Sequence, residues 1–194
     1  MSRLGVLGGT FDPIHVGHLR AAENAREALG LDEVIFIAAG TPPHRGEPLS
    51  SAYDRFAMVA LATAGNPAFV ASDIELAREG PSYTADTLAE LERRRPADAL
   101  FLIVGADTFP EVASWKDPAR IFELCTIAVV QRPGVETSGA RADASAGARV
   151  ERAGGPGLAV SATDVRRRVR ERLSVRYLVP DAVADYISKR GLYR

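Results

Sequence analysis

Apolar positions along the chain alternate between two textures. Residues 4–7, 34–38, 100–104 and 127–130 are short runs that are almost wholly apolar, flanked by polar or glycine-containing stretches. Runs of this length with no alternation predict β-strands covered on both faces, the pattern of central parallel strands. Residues 69–74 form a further candidate strand. Between these runs the period becomes helical. Val16, Leu19, Ala22, Ala25 and Leu29 mark a helix opening at about Ile14 or His15, and Tyr53, Phe56, Ala57, Ala60 and Leu61 mark a second, amphipathic one. A third starts near Ser82 or Thr84, either of which could cap it, with Asp86 in its first turn. It closes on Arg93-Arg94-Arg95 before Pro96, a solvated end that suits the negative pole of the dipole.

Beyond Pro133 the pattern fades. Residues 133–157 are rich in Gly, Ala and Arg and read as a flexible connection, with at most a weak helix or an edge strand near Val150. Order resumes at Ser161, where Ser161 or Thr163 caps a helix that carries Arg166 in its first turn. Val183 and Ile187 then mark a last helix after Pro180. The alternation of strands and helices predicts an α/β fold, a single domain over residues 1–194 built on a doubly wound, mostly parallel sheet, with a small C-terminal helical part. Ligands of such sheets lie beyond the carboxyl ends of the strands. Residues 8–18, 41–45 and 105–107 all fall there.

Composition narrows the classes of function. A chain of 194 residues buries about 70% of its unfolded surface, and a formal charge of −1 gives no general attraction for nucleic acid or an anionic membrane. The single cysteine, Cys125, allows no internal disulfide and fits a reducing compartment. No targeting segment or membrane span is legible, so the expectation is a soluble cytoplasmic protein. The oligomeric state stays open, a homo-oligomer included.

The chemistry concentrates where the first strand meets the first helix, at Gly8-Gly9-Thr10-Phe11-Asp12-Pro13-Ile14-His15-Val16-Gly17-His18. A glycine turn running into a helix N-terminus gathers backbone N–H groups and suits a phosphate. His15 and His18, three apart, project from one helix face, and Gly17 leaves room for a ligand against the backbone. The other groups expected at the same sheet edge are Thr10, His44, Arg45, Ser161, Thr163 and Arg166. This is a set of donors and cations for several phosphates, without a nucleophile–base pair. Asp12 and Asp107 are too few and too separated for a metal cage, so Mg²⁺ is expected through the phosphates of a bound nucleotide. The equipment suits attack of one phosphate on another. A phosphomonoester is largely dianionic at neutral pH, which leaves the protein to align anions and neutralise charge.

The first block resembles the GGTFDPxHxGH signature of the HxGH nucleotidyltransferases. Ser82-Tyr83-Thr84 with Asp86-Thr87, Gly105-Ala106-Asp107 with Trp115, and Ser161-Ala162-Thr163-Asp164-Val165-Arg166 are similar to further blocks of the bacterial nicotinate-nucleotide adenylyltransferases, as is the tail around Tyr177-Leu178-Val179-Pro180 and Gly191-Leu192-Tyr193. The resemblance spans nearly the whole chain. It implies a Rossmann-like nucleotidyltransferase fold and the conversion of ATP and nicotinate mononucleotide to nicotinate adenine dinucleotide and pyrophosphate. By the same resemblance His15, His18 and Arg166 are catalytic, and Gly8, Gly9, Thr10, Phe11, Gly17, Gly105, Asp107, Ser161 and Thr163 bind ATP. His44, Arg45, Thr84, Trp115 and Lys116 bind the acceptor. Three departures stand out: residues 134–157 are shorter and richer in Gly and Ala, Val165 replaces the usual isoleucine, and His44-Arg45 replaces the commoner His-Lys. Two other readings remain: a sister transferase using CTP or another phosphate acceptor, and a non-catalytic nucleotide-binding module.

Overall fold

The computed structural model describes residues 1–43, 48–131 and 147–194. Among these residues, six strands form one sheet in the order β3-β2-β1-β4-β5-β6. They are β1 (Arg3–Gly9), β2 (Glu33–Ala38), β3 (Phe69–Ser72), β4 (Ala99–Gly105), β5 (Cys125–Val130) and β6 (Val150–Ala153). All five pairings are parallel, so the sheet is parallel throughout rather than mostly so. The helices are α1 (Val16–Leu29), α2 (Ala52–Thr63), α3 (Thr84–Arg94), α4 (Pro118–Leu124), α5 (Ala162–Arg170) and α6 (Asp181–Arg190).

Successive residues of a strand point to opposite faces, and both faces here are apolar. Val34, Phe36, Phe101, Ile103, Ala128 and Val130 pack with α1, α2, α5 and α6. Leu4, Val6, Ile35, Ile37, Leu100, Leu102, Ile127 and Val129 pack with α3 and α4. The sheet is doubly wound, and its order reverses between β1 and β4. That switch point opens a crevice at the carboxyl ends of the strands.

Several elements differ from their expected form. Gly8 and Gly9 are the last residues of β1, not a turn; the bend runs from Thr10 to Ile14, with Phe11 at φ 50° and a cis Asp12–Pro13 bond. Helix α2 lies where expected, but its buried face is Asp54, Arg55, Met58, Val59 and Thr63, while Tyr53 is 74% exposed. Polar groups are held on that face because Asp54 is bonded by Ser51, Tyr186 and Arg190, and Arg55 by backbone carbonyls. Ser82 does not cap α3. The N-cap is Tyr83, and the Ser82 hydroxyl accepts instead from the N–H groups of Gly40 and Thr41, at 3.0 and 3.2 Å. Ser161 caps α5 by accepting from the Asp164 N–H, which places Arg166 fifth in the helix, just beyond its first turn. Helix α4 has no counterpart in the apolar pattern. Within the expected connection, residues 147–157 are described, and they contain the edge strand β6 paired with β5.

Candidate active site

A cleft of about 720 Å³ lies over the switch point. Its floor is the carboxyl end of β1 and β4, at Val6–Gly9 of the first and residues 102–105 of the second. Thr10, Phe11, His15, His18, Ser161, Thr163 and Arg166 line one side; Ser82, Tyr83, Thr84, Thr87, Trp115 and Lys116 line the other, and Gly105 and Asp107 also border it.

The histidines come together by a specific local device. His15 is the N-cap of α1, with extended backbone (φ −144°, ψ 169°), and not a residue of its first turn. Its backbone N–H donates to His18 Nδ1 at 3.2 Å, and the two rings stack with centroids 3.6 Å apart. A ring whose Nδ1 accepts carries its proton on Nε2, which becomes its donor. The buried Phe11 sets its ring edge-on to His18 at 5.1 Å. Phe11 therefore shapes the site more than it offers surface to a ligand. Gly17 has a further, steric role. A Cβ there would stand 3.0 Å from His15 Nδ1 and 3.4 Å from the Leu158 carbonyl, so the missing side chain makes room for His15. The helix terminus is also more occupied than expected, since the Val16 N–H donates to the Leu178 carbonyl and those of His18 and Leu19 to the His15 carbonyl.

Arg166 joins this turn directly. One guanidinium nitrogen donates to the Asp12 carbonyl at 2.7 Å and another to Thr163 Oγ1 at 3.1 Å. The Asp12 carboxylate is buried and accepts from the Leu49 N–H, the Ser50 hydroxyl and the Tyr193 hydroxyl. This is a structural tie beside Pro13, in line with a turn-stabilising role. At the far side, Lys116 Nζ lies 4.3 Å from the Tyr83 ring centroid and 3.1 Å from Asp86, and Trp115 packs against the core on the α3 face. His44 and Arg45 lie outside the described residues.

Two buried groups were not legible as parts of the site. Arg55, 1% exposed, donates to the carbonyls of Thr10 (2.8 Å) and Gly40 (3.0 Å), tying the β1 turn to the end of β2. Burial pulls its pKa down, opposed by the Asp12 charge. Its position three and four residues before Met58 and Val59, apolar residues off the stripe expected for this helix, was the available signal. Glu75 borders the cleft and accepts from Thr87 Oγ1 at 2.7 Å. Burial raises its pKa, against the opposing pull of the Thr87 and Ser82 hydroxyls.

With this geometry in view, likeness to known proteins is informative. A family model described as cytidylyltransferase-like matches residues 6–168. A probable nicotinate-nucleotide adenylyltransferase of Thermus thermophilus is 47% identical over 192 residues, covering 99% of this chain and 100% of that protein. One from Citrifermentans bemidjiense is 45% identical over 213 residues, covering 98% of each. The chain belongs to the nicotinate-nucleotide adenylyltransferase family. A Plasmodium falciparum nicotinic acid mononucleotide adenylyltransferase complexed with NaAD shares the fold of this adenylyltransferase family member at a TM-score of 0.83, with 15% identity, covering 100% of this chain and 98% of that one. The same Plasmodium protein complexed with APC gives a TM-score of 0.81 at 16% identity, with the same coverage.

Proposed function

We infer that this chain transfers the adenylyl group of ATP to nicotinate mononucleotide, releasing pyrophosphate and forming nicotinate adenine dinucleotide in NAD biosynthesis. The observation that carries the reading is the shared cleft. The stacked His15–His18 pair and Arg166 stand on one side of it, and Trp115 with the N-terminus of α3 on the other. The acceptor phosphate attacks the α-phosphorus of ATP, the bond to the bridging oxygen breaks, and pyrophosphate leaves with that electron pair. The attacking phosphate is already ionised, so the residues have only to align and neutralise.

In this reading His15, His18 and Arg166 hold the triphosphate and the charge that develops on it. Gly8, Gly9 and Thr10 form the bed under the phosphates, with Phe11 bracing His18. The N-terminus of α5, at Ser161 and Thr163, and the pair Gly105 and Asp107 hold the rest of the nucleotide. Gly17 acts by seating His15. Thr84, Trp115 and Lys116 take the pyridine ring and its carboxylate, and His44 and Arg45 are assigned to the acceptor phosphate. The family's chemistry calls for a divalent cation with ATP. Among the described residues no three His, Cys, Asp or Glu side chains stand together as a cage, and in this reading the phosphates of bound ATP hold the Mg²⁺. When bound there, the cation neutralises phosphate charge.

We also read residues 1–194 as one nucleotidyltransferase domain, since one sheet carries both sides of the cleft. A cytoplasmic setting fits Cys125, which is buried and held as a thiol by a pKa pushed up to about 12. No helix among the described residues is long and apolar enough to cross a membrane. Pyrophosphate release from ATP, Mg²⁺ and nicotinate mononucleotide tests the whole reading. Release that depends on the acceptor is expected; none with any pyridine mononucleotide ends it. Equal turnover of the amide form removes only the preference for the acid.

A further inference from the structure

The tail of the chain reaches the turn that carries the active-site histidines. Helix α6 ends at a left-handed Gly191, and two residues later Tyr193 is again left-handed, at φ 64°, with its side chain buried. For a non-glycine residue this backbone is costly and persists where surrounding contacts over-determine it. The contacts here are polar. The Tyr193 hydroxyl donates to Asp12 Oδ1 at 2.7 Å, the Ser50 hydroxyl donates to the same oxygen, and the two hydroxyl oxygens lie 3.0 Å apart. The other oxygen of Asp12 accepts from the Leu49 N–H at 2.8 Å. Asp12 in turn presents its backbone carbonyl to Arg166, and it stands three residues before His15.

We propose that Tyr193 is a positioning residue for adenylyl transfer. Its hydroxyl holds the Asp12 carboxylate, and through it the turn that sets Arg166, His15 and His18. The same oxygen binds Ser50, and Pro48 and Leu49, just before it, line the cleft, so the node also fixes that stretch of the rim to the turn. A hydrogen bond to a buried carboxylate is of the strong, charge-assisted kind, which suits a fixed geometry. Tyr193 touches no substrate in this account; it acts through Asp12.

The kinetic readout rests on the adenylyl-transfer reading, so the test carries a second readout that does not. Tyr193→Phe keeps the ring and removes the hydroxyl, and Ser50→Ala cuts the node from the other side. Tyr186→Phe is the control, because it deletes a comparable tyrosine–carboxylate bond of 2.8 Å, from α6 to Asp54, that does not involve Asp12. For Tyr193→Phe, kcat and kcat/KM are expected to fall together by about tenfold to a hundredfold, the scale of a misplaced reacting group, with both KM values held within about twofold. The ring-proton NMR signals of His15 and His18 in substrate-free protein are expected to shift. Tyr186→Phe keeps the wild-type kcat and the wild-type histidine signals. If Tyr193→Phe and Ser50→Ala both turn over like wild type and leave those signals in place, the proposal is overturned, whatever they do to Tm. If the wild type releases no pyrophosphate, the adenylyl-transfer reading falls, and the histidine signals still decide the role of Tyr193.

Discussion

At position 17 the absence of one methyl group decides where an imidazole sits. A Cβ would press on the His15 ring at 3.0–3.1 Å, tighter than ordinary contact, and the ring would have to slide along its stack on His18. Gly17→Ala is therefore expected to fold and to lose about tenfold in kcat, a misplacement effect. Gly8 gives the opposite case. A Cβ there meets no protein atom within 4 Å, and the residue borders the cleft, so the space beside it opens into the cleft. Gly8→Ala is expected to raise KM for ATP by about tenfold with kcat at saturation nearly kept, since it blocks binding more than it moves a reacting group. His18→Ala removes the donor itself, and a loss of at least about two decades in kcat is expected. Steady-state kinetics on the three variants separate these outcomes, and near-normal turnover by His18→Ala would refute its role. The pairing of the histidines was readable from their spacing; the stacking was not. It depends on the extended backbone at His15, which a helical projection replaces with a helical one.

At the scale of elements, the contact of α6 with α2 carries a pH dependence. Asp54 accepts from the Ser51 hydroxyl, from Tyr186 Oη at 2.8 Å and from Arg190 Nε at 3.1 Å, and the Ser51 bond foremost, with the Tyr186 and Arg190 bonds, lowers its pKa below the ordinary 3.8 despite burial. A carboxyl whose folded pKa lies below its unfolded value contributes stability in full above the unfolded value, and that contribution disappears as pH falls through the folded one. Wild-type Tm is thus expected to drop on acidification below about pH 4, with Asp54→Asn less stable at neutral pH and flatter across the acid range. Parallel curves for the two proteins would exclude Asp54 as the source. The strands and most helices could be read because their apolar runs obey the local periods of sheet and helix. The buried face of α2 could not, because Asp54 and Arg55 owe their burial to Tyr186, Arg190, Thr10 and Gly40, partners remote in sequence. Helix α4 escaped for a different reason: seven residues give too few turns for a period to register. The tie from Tyr193 to Asp12 spans 181 positions, and no local pattern encodes it.

Across the whole molecule, the two sides of the cleft are drawn from opposite flanks of the sheet's switch point. The β1 turn and α5 supply one, the N-terminus of α3 and the segment around Trp115 the other. Each ligand then binds only a folded chain, and each stabilises it by mass action. At a hundredfold excess over Kd this is about 2.7 kcal/mol, which for a chain of this size is a rise in Tm of about 5–10 °C. A non-catalytic nucleotide module would respond to ATP alone. A two-substrate enzyme is expected to respond to ATP and to nicotinate mononucleotide separately, and the responses should be separable by mutation. Gly8→Ala should weaken the ATP shift and keep the acceptor shift. Trp115→Ala should do the reverse, because the indole lines the cleft on the α3 face, the side assigned above to the acceptor. Thermal melts of the wild type and both variants with each ligand measure these shifts directly. Loss of both responses in Trp115→Ala would mean that the residue supports the fold and not one ligand, and an acceptor shift untouched by that variant would move the pyridine ring elsewhere in the cleft.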